Sequence, residues 1–286
     1  MVASLPTLPA RGHLVVRKRG QALTVLLRGL GNGATPLGLA CFYGALIVLL
    51  LAPLYPAISG ANFQAILSSS FMSGLLGERI THFSGFPTFL AMEVYSSFYG
   101  LLFGGFVAWI GGAALPLTME DGTLDLALSR PISRTRYYLA SWLAVMICAL
   151  IIGLVIVGAV WIDTFFVRNA GINWRWLWIT QFVQWTFMFF AGGLGMLCGA
   201  CFSASRKAGG AALGLIVLGY LINTFGGLAT QFEWLRKLGP LYYAPSIDPL
   251  VFHTLTWWYP WVLVAAGLVC GMAGLLIFNR RDLPAV

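Results

Sequence analysis

The sequence predicts an all-α polytopic membrane protein with six transmembrane helices, an N-terminal interfacial elbow helix and a short charged helix between the second and third spans. Three observations carry that prediction. Six apolar stretches are long enough to cross a hydrocarbon core of ~30 Å, which takes about 20 residues. Only 9% of the 286 residues are charged against 59% hydrophobic, where soluble domains carry about 25% charge. The basic residues also collect in alternate connections between the apolar stretches, the asymmetry that orients a chain in a membrane.

Taken in order, residues 1–36 carry Arg11, Arg17, Lys18, Arg19 and Arg28 with no apolar core before Leu37. No signal peptide is expected there, and the first span is expected to stay as an anchor. Within 14–30, Leu23, Leu26, Leu27 and Leu30 recur at helical spacing among basic residues. That pattern predicts an amphipathic elbow helix in the headgroup plane; the alternative is a basic tail without regular structure. The predicted spans are 37–58, 88–117, 136–162, 176–202, 208–231 and 257–278. The first external segment, 59–87, is too polar to span, and Phe63, Ile66, Leu67, Phe71, Leu75 and Leu76 predict a helix resting on the outer leaflet.

With the N-terminus inside, twelve of the seventeen basic residues fall in cytoplasmic pieces. They include Arg130, Arg134, Arg136, Arg206, Lys207, Arg280 and Arg281. Both termini are therefore expected in the cytoplasm, with segment 118–135 beside them. The aromatic clusters Trp174, Trp176 and Trp178, and Trp257, Trp258, Tyr259 and Trp261, mark outer span ends, because Trp and Tyr favour the interface. The chain 1–286 reads as one transmembrane domain. Its last external segment is 232–256, where a partly re-entrant structure is expected, and a short cytoplasmic tail follows the sixth span.

Between spans 2 and 3 lies Met119–Arg136, MEDGTLDLALSRPISRTR, with three carboxylates and three arginines. Leu124, Leu126, Leu128 and Ile132 share one flank of a short helix punctuated by Gly122 and Pro131. On composition alone this is a solvated loop obeying the orientation rule. Its residue order is more specific. The run Glu120, Gly122, Thr123, Leu124, Leu126, Leu128, Ser129, Pro131, Ile132, Ser133, Arg134 resembles the first cytoplasmic loop of export-class permeases of the second structural type of ATP-binding-cassette (ABC) transporter. It departs from that pattern at Asp121 and Ala127. The segment Leu241-Tyr242-Tyr243-Ala244-Pro245 and the tail Phe278-Asn279-Arg280-Arg281-Asp282-Leu283 are similar to the same class.

The resemblance implies that 119–136 is a cytoplasmic coupling helix docking on an ATP-hydrolysing subunit. It casts Glu120, Gly122, Thr123, Leu124, Leu126, Leu128, Pro131 and Arg134 as the coupling residues. Glu120 would fix the segment by capping or ion pairing, the leucines would fill the ATPase groove, and Arg134 would hold headgroups or partner carboxylates. It further implies two ATPase subunits, a second permease chain (identical or paralogous), and a prokaryotic plasma membrane.

The chain has no Gly-x-x-x-x-Gly-Lys-(Ser/Thr), since Lys18, Lys207 and Lys237 all sit in other contexts. It is therefore expected to bind no cofactor and to be no enzyme; ATP and Mg would sit in the partner subunit. No nucleophile lies beside a base, and His13, His82 and His253 are scattered. Nucleic acid is excluded as a partner because the +8 net charge is split among span ends. The cysteines Cys41, Cys148, Cys198, Cys201 and Cys270 lie in apolar segments and read as packing. Candidate residues along a translocation path are Glu93, Gln181, Gln184 and Asn223. For Glu93 the alternative is a carboxylate near the interface paired with Arg79, and for the amides it is helix bridging. Gly100/Gly104, Gly195/Gly199, Gly210/Gly214 and Gly267/Gly271 are four apart and predict close helix approach or a dimer seam.

The expected function is export of a hydrophobic or amphipathic substrate by an ATP-driven permease. The rivals are a non-transporting membrane scaffold or assembly protein and an ion-coupled secondary transporter. The last would require more intramembrane carboxylates than Glu93.

Overall fold

The computed structural model describes residues 11–58, 85–121, 133–167, 170–228 and 233–281, and among them every regular element is helical. Six helices among the described residues are long and apolar enough to cross a membrane. Span 1 lies within the helix Arg11–Ile58. Spans 2, 3 and 4 are Phe86–Glu120, Arg134–Phe166 and Trp174–Cys201. Spans 5 and 6 lie in Ser205–Leu228 and Trp258–Arg280. The predicted external helix in 59–87 and most of the charged segment, 122–132, fall outside the described residues.

Residues 14–30 are helical, but they run on without a break into span 1. The physical reason lies at Gly29 and Gly33. A Cβ on Gly29 would stand 3.0 Å from the Ala144 Cβ, and one on Gly33 would stand 3.6 Å from the Cys148 sulfur. Further along, Phe103 and Ile156 crowd Gly44. Residues 29–44 therefore lie lengthwise along span 3, with small residues allowing close approach in lipid. The candidate span is Leu23–Tyr55.

Span 2 is composite. An α-turn over Phe86–Leu90 leads into a π-helix over Ala91–Phe103, followed by an α-helix over Gly104–Glu120. The Ser97 hydroxyl donates to the Met92 carbonyl at 3.0 Å, five residues back, in keeping with that wider winding. Long π segments are rare, and where π turns occur they often mark functional sites.

Span 4 is the central post, packed against spans 2, 3, 5 and 6. Its glycines set those distances. A Cβ on Gly195 would overlap the Ala108 carbonyl oxygen and come within 3.1 Å of the Gly111 Cα on span 2. On the opposite flank a Cβ on Gly193 would overlap the Gly267 carbonyl of span 6. By contrast, Gly214 on span 5 has nothing within 4 Å and faces away from the chain's own core.

The link between spans 5 and 6 dips back among the helices. Pro240 stands 3.0 Å from where a Gly219 Cβ would be, and Gly219 is about 13 Å inward from Leu228 at 1.5 Å per residue. Leu241 crowds Gly100 of span 2, and the Ala244 carbonyl accepts from the Gln184 amide at 3.4 Å. The chain then climbs through Ile247–Val251 to His253, which stacks on Trp176 at 5.6 Å. Span 6 runs parallel to span 4 with Gly267 against Gly193. Trp174, Trp178, Trp257, Trp258 and Trp261 are exposed at this aromatic end. The opposite end gathers Arg134, Arg136, Arg206, Lys207, Arg280 and Arg281.

Candidate functional site

Of the residues singled out in the charged segment, Gly122, Thr123, Leu124, Leu126, Leu128 and Pro131 lie outside the described residues. Its two roots are described, and they converge on one turn.

Span 2 ends at Glu120. The Glu120 carboxylate accepts the Ser205 backbone N–H at 2.9 Å and the Ser205 hydroxyl at 2.6 Å. Ser205 opens span 5, and the first N–H groups of a helix have no partner within it. A carboxylate there satisfies one of them and also favours the positive end of the helix dipole. Glu120 thus caps the start of span 5, 85 residues away.

Span 3 opens at the other root. Ser133 is extended, with φ −72 and ψ 145, and its side chain accepts the Arg136 N–H at 3.4 Å as a local N-cap. Next to it, the Arg134 guanidinium donates to the Arg281 carbonyl at 2.7 Å. This carbonyl at the end of span 6 is the acceptor found for Arg134, whose expected acceptors are headgroups or partner carboxylates. Asn279 adds a bond from its amide to the Thr135 hydroxyl at 3.3 Å.

Arg281 completes the arrangement. Its Nη1 donates to the carbonyls of Ala200 at 3.1 Å and Phe202 at 3.0 Å, and its Nη2 donates to the Ser203 hydroxyl. The last carbonyls of span 4 lack partners within their own helix, and a basic side chain is a common way to satisfy them. Sequence reasoning counts Arg281 only as an orienting charge; the one available signal is its place in the Arg-Asp-Leu tail. The 200–205 turn is therefore held from two sides, by the end of span 2 through Glu120 and by the end of span 6 through Arg281.

Of the candidate path residues, two bridge segments of the chain and two are half-buried. Gln181 is fully buried, accepting from the Tyr95 hydroxyl at 3.4 Å and donating to the Tyr99 hydroxyl, so it joins spans 4 and 2. Gln184, also fully buried, joins span 4 to the re-entrant segment. Asn223 is half-buried on span 5, where its Cβ lies 3.6 Å from a hypothetical Gly239 Cβ. Glu93 is half-buried near the aromatic end of span 2.

Asp163 is the residue that sequence reasoning misses. Hydropathy falls after Ile162, which puts the end of the third span four residues too early, since the helix continues to Phe166. Asp163 is fully buried, and neither carboxylate oxygen has a hydrogen-bond partner among the described residues. Among those residues no three His, Cys, Asp or Glu side chains group closely enough to hold a metal ion.

A family model described as ABC-2 family transporter protein matches residues 56–283. No curated protein matches the chain.

Proposed function

The chain belongs to the ABC-2 transporter family, and from that premise we propose that it is the permease subunit of an ATP-driven exporter. In this reading a separate ATPase subunit binds ATP and Mg, since the sequence holds no phosphate-cradling loop of its own. The basic end faces the cytoplasm. Two permease chains, identical or paralogous, enclose the path, and two ATPase subunits close on each other beneath them. The substrate is hydrophobic or amphipathic and moves outward.

One observation supports this reading above the others. Both roots of segment 119–136 are fastened to the 200–205 turn, through Glu120 on one side and through Arg134 and Arg281 on the other. A solvated loop that only links two spans needs no such fastening. A segment that receives force does, because displacement at the segment must arrive at the spans before the roots relax. The fully buried Gln181 and Gln184 tie the other half of the bundle together, which favours movement of helices as bodies.

The experiment is purification of the tagged chain from its native membrane. It is expected to carry an ATP-hydrolysing subunit at one copy per permease chain. Vesicles holding the pair should couple ATP hydrolysis to transport, and that coupling should fall when Glu120 is reversed in charge. A chain that purifies without any ATPase, from cells where it is folded and abundant, overturns the reading in favour of a scaffold.

A further inference from the structure

Arg281 lies outside the charged segment, yet it links the segment's second root to the end of span 4. Its planar guanidinium serves three acceptors at once: two carbonyls at the end of span 4 and the Ser203 hydroxyl. Its own carbonyl takes the Arg134 guanidinium at 2.7 Å. Two residues beyond Ser203, Ser205 binds Glu120. The contacts form a ring that leaves the charged segment at Glu120, passes along the 200–205 turn to Arg281, and returns to the segment at Arg134. Spans 2, 3, 4, 5 and 6 each contribute an end to it.

We propose that Arg281 is a positioning residue that closes this ring into a clamp, so that force on segment 119–136 reaches spans 4, 5 and 6 together with spans 2 and 3. The proposal rests on the permease reading for its role in transport, though not for the clamp itself. An arginine is required because the fork presents several donors in one plane; an ammonium at the end of a lysine is a point charge with no such plane. Without Arg281 the end of span 4 keeps unpartnered carbonyls, Arg134 loses a held acceptor, and Glu120 fastens the turn from one side only.

The test uses the complex of the chain with its ATPase subunit, with native cysteines replaced and Arg136→Cys and Lys207→Cys carrying spin labels. Both positions are exposed and lie beside the ring. With Arg281 present, a narrow distance distribution is expected, the same without nucleotide and with ATP. In Arg281→Gln the distribution is expected to broaden and to shift on ATP binding, and Arg281→Lys is expected to behave like the glutamine variant. A second measurement follows outward transfer of a fluorescent short-chain phospholipid per ATP hydrolysed. In Arg281→Gln that ratio is expected to fall about ten-fold, the usual scale of coupling between sites, with the KM for ATP unchanged. The ratio is independent of how much protein folds, so a merely structural role would not move it.

A distribution as narrow in Arg281→Gln as in the parent overturns the clamp. Full recovery by Arg281→Lys overturns the requirement for the fork. If the parent complex hydrolyses ATP without moving the lipid while the distances broaden as described, the clamp stands and the transport reading is what fails.

Discussion

Glu120→Arg is expected to leave the permease inserted, folded and bound to its ATPase, while ATP-driven transport falls at least about ten-fold, a coupling loss of the usual size. The change removes both bonds to Ser205, at 2.9 Å and 2.6 Å, and puts a cation at the positive end of span 5. It also places a third cation beside Arg206 and Lys207. The residue is exposed, so the packed core loses nothing and the melting temperature in detergent should barely move. Hydrolysis and transport measured on the same vesicles check the result. Equal coupling in Glu120→Arg and parent would mean that the root of the segment transmits nothing.

The second large effect is on folding. Gly195→Val is expected to abolish accumulation of folded chain in the membrane. A Cβ there meets backbone alone at close range: the Ala108 carbonyl oxygen, the Gly112 nitrogen at 3.0 Å and the Gly111 Cα at 3.1 Å. Backbone cannot rotate aside as a side chain can, so spans 2 and 4 must separate along their whole interface. Overpacking of a well-fitted core costs about 1–3 kcal/mol, and the fixed neighbours put this case at or above the upper end. Gly214→Val is the matched control, because a Cβ at Gly214 meets nothing within 4 Å. The single-chain fold should tolerate it. Size-exclusion profiles in mild detergent separate the outcomes, and normal accumulation of Gly195→Val would show that the interface is looser than its distances imply.

These two residues illustrate what is legible in the sequence and what is not. The spans are legible because an apolar run of membrane length with hardly a charge in it has few places to go but lipid. The close approach at Gly195 and Gly199 is legible as a spacing, though spacing does not name the facing helix. The start of span 1 is less legible, because the contacts of Gly29 and Gly33 with span 3 follow from small residues packing in lipid and not from an apolar run. The fastening of Glu120 to Ser205 spans 85 positions and that of Arg134 to Arg281 spans 147. Neither partner carries a periodic or motif signal toward the other, so only the folded chain brings them together. Asp163 escapes because a hydropathy window ends a span where polarity rises, while the helix itself continues for another turn. The π winding of Ala91–Phe103 leaves no compositional trace.

Coupling requires that segment 119–136 touch the ATPase and that the aromatic end stay clear of it. A photo-crosslinking amino acid in place of Leu126, activated in living cells, should trap the ATPase subunit as a single adduct. The same amino acid in place of Trp258, at the aromatic end, should trap none. An ATPase adduct from position 258, or a partner other than an ATPase from position 126, would contradict the coupling role.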